Sequence, residues 1–397
     1  MGTAESFRSM WAELAGMGGS PSRGYRRLAL TDADTQLRAW FERRCQRLGL
    51  AVEIDRAGNQ WAWWGGPGPG VAVGSHLDSV PDGGGFDGPL GVVSALAAVE
   101  TLMVSGFTPT VPIGLVNFSD EEGGRFKVAC LGSRILTGAV TPGRGRALTD
   151  DDGITMAEAL RAAGRDPAGL GPDPVALGRL TAYVELHIEQ GRRLEGLGRP
   201  LAVARDIWPH GRWRVDLPGR ADHAGTTRIQ DRDDAMVSFA TVVLAAREAA
   251  TRLGTVATIG KVSVTPGGVN AIASQVTCWL DARGADETGV LATLDAVTGI
   301  VERLGGTVRE ESWTPATPFD PGLRDQIAAL LDAPVIGTGA GHDAGILANA
   351  GIPAAMIFVR NPTGVSHSPA EHADEADCLL GVEALAQVLS VLAGSRG

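Results

Sequence analysis

The stretch Gly74-Ser-His-Leu-Asp-Ser-Val-Pro-Asp-Gly-Gly-Gly-Phe-Asp-Gly88 constrains this chain more than any other. It follows the apolar run Val71-Ala72-Val73, which reads as a buried strand. It leads into Pro89 to Val104, an apolar segment with Pro at its first position, which reads as a buried helix. A loop between strand and helix is where α/β proteins place their chemistry. His76 and Asp78 are two residues apart, so on a continuing strand they point the same way and the carboxylate can orient the imidazole. Asp87 then returns on a Gly-rich turn. These residues can begin a metal site, and they also fit a structural His–Asp pair in a loop. Gly83, Gly85 and Gly88 match the dinucleotide fingerprint, but that motif needs its first glycine directly after a strand. Here Ser79 to Asp82 intervene, and Asp82 and Asp87 would repel a phosphate.

The same pattern recurs along the chain. Residues 1 to about 50 read as helical, with Thr31-Asp32-Ala33-Asp34 as a capping region. Val52–Asp55 and Gln60–Trp64 read as alternating strands around a Gly58-Asn59 turn, with a loop over 65–70 after the second. Pro112–Phe118 is a further apolar strand, followed by Asp120-Glu121-Glu122. The strand Thr181–Gly191 carries His187, Glu189 and Gln190 in its last turn. Pro353–Val359 precedes Arg360, His367 and Glu371. Four strands thus present His76, Glu122, His187 and His367 near their carboxyl ends, which share one edge in an open α/β sheet. Three of the chain's seven histidines fall at such ends beside carboxylates. With Asp87 and Glu122 they make a set of nitrogen and oxygen ligands one too large for a single tetrahedral zinc. The set suits two ions sharing a carboxylate.

At 397 residues the chain exceeds the usual limit of a single core, so two domains are expected. Between 203 and 314 the element order is β-α-β-β-α-β, that of a ferredoxin-like sandwich. Ligand-bearing strands lie on both sides of this block, which predicts an insertion. Residues 1–202 and 315–397 then form one discontinuous α/β domain with a central mixed sheet, and 203–314 an inserted α+β domain. The formal net charge of −11 argues against a general nucleic-acid surface, and an anionic substrate would need local arginines. The four cysteines form no C-x-x-C pair, no uninterrupted apolar run suggests a membrane span, and no signal-peptide pattern opens the chain. A cytoplasmic protein is expected.

Seven motifs in order resemble the binuclear metal amidohydrolases that act on N-carbamoyl-L-amino acids, allantoate and ureidopropionate, within the wider group of co-catalytic zinc aminoacylases and carboxypeptidases. They are Gly-Ser-His-Leu-Asp-Ser at 74–79, Phe-Asp-Gly at 86–88, Asp-Glu-Glu-Gly at 120–123, His-Ile-Glu-Gln-Gly at 187–191, Ala-Asp-His-Ala-Gly-Thr-Thr at 221–227, Gly-Ala-Gly-His-Asp-Ala at 339–344 and Ser-His-Ser-Pro at 366–369. The resemblance implies two divalent ions, Zn, Mn, Co or Ni, with His76 and His187 on one, Glu122 and His367 on the other, and Asp87 bridging. It implies Glu121 as general base, with Asp78 also among the catalytic residues, and His223 stabilising the developing oxyanion. Asn270 and Arg283 would bind a substrate carboxylate, with Gln190 and His342 completing the substrate contacts. A homodimer is implied, in which the inserted domain pairs with its twin, acts as a lid and sends His223 to the partner's site. His187 stands where the peptidases of this group usually have a carboxylate, which resembles the ureido-hydrolysing branch. Other readings are an N-formyl-amino-acid deformylase, a peptidase of the same fold, and a non-catalytic ligand-binding protein. Arg360 reads as free to meet a second anionic group, favouring allantoate or an acidic N-carbamoyl or N-formyl amino acid, or else as a surface charge. Arg283 likewise has a bland reading, as a strand-end charge paired with Asp281.

Overall fold

Runs of small and β-branched residues with no charge between them become strands buried on both faces, as parallel sheets require. In the computed structural model, which describes residues 2–66 and 68–394, Gly70–His76, Ile113–Phe118 and Ala354–Val359 are buried at every position. Met1, and Pro67 in the expected 65–70 loop, lie outside the described residues. In chain order the strands are β1 (Val52–Ile54), β2 (Gln60–Trp64), β3 (Gly70–His76), β4 (Ile113–Phe118), β5 (Leu180–Ile188), β6 (Leu201–Ile207), β7 (His210–Pro218), β8 (Val256–Thr265), β9 (Gln275–Arg283), β10 (Thr307–Thr314), β11 (Thr317–Pro318), β12 (Val335–Thr338) and β13 (Ala354–Val359). The chain divides into two compact units. One comprises Met1–Arg205, Pro318–Ile336 and Gly341–Gly397, the other Asp206–Thr317 with Gly337–Ala340.

The first unit is built on a nine-stranded mixed sheet in the order β1-β2-β4-β3-β5-β13-β6-β11, with β12 pairing β6. Its centre, β4-β3-β5-β13, is parallel, and the pairs on either side of it are antiparallel. The helix Pro89–Val104 starts at Gly88 with Pro at its first position, and its apolar side chains share a core with Val71, Val73, Leu115 and Val184. The last helix, Glu375–Ala393, is long and apolar enough by length and composition to cross a membrane. Its Val382, Leu385, Val388 and Leu389 instead fill this core.

The helical region expected over residues 1–50 is two helices, Thr3–Ala15 and Asp32–Arg47, the second starting within the expected capping region Thr31–Asp34. Gly16 is the C-cap of the first helix, and Gly18, at φ 72°, Gly19 and Pro21 follow it before the second. Thr31 is the N-cap of the second helix, yet its hydroxyl donates to the Leu28 carbonyl rather than capping an amide.

The second unit is a four-stranded antiparallel sheet in the order β10-β7-β9-β8 with two long helices, Ala235–Leu253 and Glu287–Arg303. That order and connectivity are the ferredoxin-like arrangement of the α+β expectation. One face of each central strand points inward, as the period of two demands. Trp213, Val215 and Leu217 from β7 and Val276, Cys278, Leu280 and Ala282 from β9 pack on Val242, Ala246, Val290, Val297 and Val301 of the helices.

Candidate metal centre

Because β3, β4, β5 and β13 run parallel, their carboxyl ends lie on one edge, and there the chemistry-bearing side chains converge. His76 is the last residue of β3, opposite Phe118 at the end of β4, and His187 on β5 pairs with Phe358 of β13. Loops after β4 and β13 bring Glu121, Glu122 and His367. Asp87 comes from the Gly-rich turn before Pro89. Gly88 takes φ 85°, and a Cβ there would lie 2.4 Å from the His76 ring, so any side chain would displace the imidazole.

Asp87 sits at the middle of the cluster. Its Oδ1 is 3.2 Å from His187 Nε2 and 3.7 Å from His76 Nε2, and its Oδ2 is 3.5 Å from His367 Nε2. Glu122 Oε2 is 3.4 Å from the same His367 nitrogen. Three groups of possible ligand atoms result among the described residues, each with its atoms within 4.8 Å of one another: His76–Asp87–His187 and Asp87–Glu122–His367, which share Asp87, and the buried Glu185–His187–His342. The Nδ1 of His76 bonds the Asp78 carbonyl at 3.1 Å and that of His187 the Ile188 carbonyl at 2.9 Å. A carbonyl only accepts, so both Nδ1 atoms carry a proton, and both Nε2 atoms face Asp87, where they serve as ligands once deprotonated.

Burial then sets the electrostatics. Burial, with Asp343, Glu122 and Asp78 adding repulsion, pushes Glu121 well above the usual carboxylate range despite His76. Burial and Asp87 do the same to Glu122. Burial opposes protonation of His76, but Glu121, Asp78 and Asp87 outweigh it and raise the imidazole well above its ordinary value. His76 Nε2, His187 Nε2 and Glu122 Oε1 are buried with no hydrogen-bond partner. Unpartnered imidazole nitrogens beside carboxylates that strain against their own charge are the donor set a hard or borderline divalent cation needs. The residues fit divalent metal.

Around this cluster several expectations change. Asp78 meets His76 mainly through its carbonyl, its carboxylate lying 3.5 Å away. That carboxylate instead accepts from the amides of Glu121 and Glu122 at 3.1 and 3.0 Å, fixing both acids. Gln190, expected at substrate, donates to Asp87 Oδ2 at 2.7 Å. His342 packs its ring on His187 with centroids 4.5 Å apart, and burial and His187 hold it well below its ordinary pKa, hence neutral. Arg360 is not free: its Nε bonds buried Asp377 at 2.8 Å, and Glu195 lies 3.8 Å from its Nη1. Asp377, in the first turn of the last helix, needs a counter-charge at that depth, and Arg360 supplies it.

Three further expected residues belong to the second unit. His223 and Asn270 are exposed neighbours, with Ala224 N donating to the Asn270 carbonyl at 2.9 Å. Arg283, at the end of β9, forks onto Asp281 at 2.8 and 3.3 Å and reaches the Gly339 carbonyl at 2.9 Å. Sequence reasoning missed Ser366, Glu371 and Cys130. Ser366 Oγ donates to Asp87 Oδ2 at 3.0 Å, and Cys130 Sγ donates to Glu121 Oε1 at 3.2 Å. Glu371 carried a signal, a carboxylate four residues after His367. Cys130 carried none.

Residues 72–391 match the model of peptidase family M20/M25/M40. The chain belongs to that family. This M20/M25/M40 member is 38% identical to an N-carbamoyl-L-amino acid amidohydrolase of Geobacillus stearothermophilus, over 94% of each chain. It is 31% identical to the allantoate amidohydrolase of Escherichia coli, over 96% of each. A crystal structure of a hydantoinase/carbamoylase family amidase from Burkholderia ambifaria superposes with a TM-score of 0.85 at 34% identity. That alignment covers 100% of this chain and 98% of the other. The M20/M25/M40 chain is a hydrolase of amide bonds.

Proposed function

We propose that this chain hydrolyses the linear C–N bond of a carbamoyl or ureido group on a small carboxylated substrate, using two divalent ions. The observation that carries the reading is the pair of ligand groups sharing Asp87, one of which takes the imidazole of His187 as a ligand and so leaves Asp87 and Glu122 as the two carboxylates. His76, His187 and Asp87 hold one ion, and Asp87, Glu122 and His367 the other. When bound, such ions polarise a carbonyl and lower the pKa of water; two carboxylates for two divalent charges leave the net positive field that a poorly electrophilic ureido carbonyl needs. Glu121 belongs to neither group. Its Oε1 is held by Cys130, and its Oε2, 3.7 Å from His76 Nε2, takes the proton from the attacking water and delivers it to the leaving nitrogen. Asp78, through the backbone amides of both glutamates, keeps that carboxylate in place.

Arg283 and Asn270 bind the substrate carboxylate, and His223 stabilises the oxyanion. Arg283 keeps one N–H on each Nη beyond its bonds to Asp281 and Gly339, enough for a forked carboxylate contact. With Arg360 committed to Asp377, the reading carries no preference for a second anionic group. The assay that tests the function is ammonia release from carbamoyl and ureido substrates. A reduced cytoplasmic setting fits four buried, unpaired cysteines.

The protein works as a two-fold homodimer joined through the second unit. Helix Ala235–Leu253 exposes Met236, Val237 and Leu244. Strand β8 ends the four-stranded sheet, with Val256 and Val262 exposed beside its outer edge. A long bare edge beside an apolar helix face favours pairing with a copy of itself. His223 then serves the partner's site. Mixing inactive Glu121→Gln subunits with inactive His223→Ala subunits is expected to restore up to about a quarter of wild-type activity, since half the chains enter mixed dimers and each such dimer has one intact site. No recovery after verified subunit exchange would place His223 in its own chain's site or outside catalysis.

A further inference from the structure

Glu371 is buried in the loop after β13, four residues beyond His367. Its Oε2 accepts from the amides of Phe86 and Asp87 at 2.8 and 3.0 Å, and Ser366 Oγ lies 3.4 Å from its Oε1. Ser366 and Gln190 bond the Asp87 side chain, whereas Glu371 bonds its backbone. The turn on the other side is shaped to receive this carboxylate. A Cβ on Gly84 would lie 2.3 Å from Glu371 Oε2 and 2.6 Å from its Cβ, so the turn closes over Glu371 only because residue 84 has no side chain.

We propose that Glu371 is a positioning residue that clamps the turn carrying Asp87 onto the loop carrying His367, and thereby sets how tightly the chain binds divalent metal. The inference rests on the two-ion reading above. Asp87 enters both ligand groups, and the residues before it are Gly83, Gly84 and Gly85, which by themselves populate many conformations. Two charge-assisted bonds to consecutive amides select one of them before an ion arrives, so the ordering cost is not charged to binding. Without the clamp, each ion must order the turn itself.

The test is metal affinity, read without turnover. Wild type, Glu371→Ala, Glu371→Gln and Gly84→Ala are stripped of metal and titrated with Zn²⁺ against a chromophoric chelator, with melting of each stripped protein in parallel. Wild type is expected to take two ions per chain. Glu371→Ala and Gly84→Ala should bind about 10–100-fold more weakly, while Glu371→Gln, whose carbonyl keeps both amide bonds, stays within about threefold of wild type. Should Glu371→Ala fail to fold, Gly84→Ala carries the test. Wild-type affinity in both Glu371→Ala and Gly84→Ala overturns the clamp while leaving the two-ion reading intact. Glu371→Gln as weak as Glu371→Ala, with Gly84→Ala unaffected, also overturns it, because charge and not contact would then be the agent. A wild-type chain that takes up no ion overturns both readings.

Discussion

Glu121→Gln is expected to lower turnover about 10²–10⁴-fold while two ions remain bound and the fold is unchanged. The side chain stands at the edge of the cluster and contributes no atom to any ligand group among the described residues. Asp78 fixes its backbone, and Cys130 fixes one of its oxygens. An amide of the same shape keeps those contacts and loses only the capacity to accept a proton. Turnover and metal content measured on the same preparation decide the matter. Loss of an ion in this variant would make Glu121 a ligand and remove it as the base.

Removing the metal is expected to abolish activity and to make stability fall as pH rises. Burial raises Glu121 and Glu122 well above the ordinary range, and burial with Glu185 raises Asp343 to about 8. In the folded, metal-stripped chain these groups keep protons that the unfolded chain releases near pH 4. The folded state then binds more protons, so stability declines by about 1.4 kcal/mol per pH unit for each proton retained. His76 and His187 act in the same direction. Burial opposes their protonation, but the neighbouring carboxylates, Glu121 foremost for His76 and Asp87 for His187, raise them. Their contribution is complete below about pH 6.5 and is lost as pH passes their folded values. Asp87 and His342 oppose the trend: against burial, His187 and His76 hold Asp87 well below its usual value, so its contribution is lost on acidification, and burial with His187 holds His342 well below its ordinary value, so stability is also lost as pH falls through about 6.5. The net window runs from about pH 4 to about pH 8. Bound divalent ions favour the deprotonated ligands and should remove the slope. Melting curves with chelator and with metal, from pH 5 to 8, should show a gap that widens with pH. A gap independent of pH would contradict this account.

Much of the site was legible because strand periodicity and strand ends leave a local trace. An apolar run followed by His76, another ending at His187, and a third followed by Glu121-Glu122 can be found one segment at a time, and a parallel sheet then brings them together. The ferredoxin-like order was legible for the same reason, each of its elements being long and clearly periodic. What stayed hidden depends on pairs distant in sequence. Nothing near Arg360 signals Asp377, and nothing near Gln190 signals that its amide belongs to Asp87. Glu371 reaches residues 284 and 285 positions away. The first fifty residues were legible in part: the capping run Thr31–Asp34 marks the start of the second helix, while the break after Ala15 rests on glycines that the helical spacing does not reveal.

The most direct test of the central claim is ammonia release by protein loaded with divalent metal. Substrates would be allantoate, N-carbamoyl-L-methionine and N-carbamoyl-L-glutamate, with N-formyl-L-glutamate and a dipeptide as comparators and Glu121→Gln as the control. The account predicts ammonia from at least one carbamoyl or ureido substrate, no cleavage of the dipeptide, and release by the variant at least about a hundredfold slower. Cleavage of the dipeptide or the formyl compound, with no ammonia from any carbamoyl or ureido substrate while two ions are bound, would contradict it.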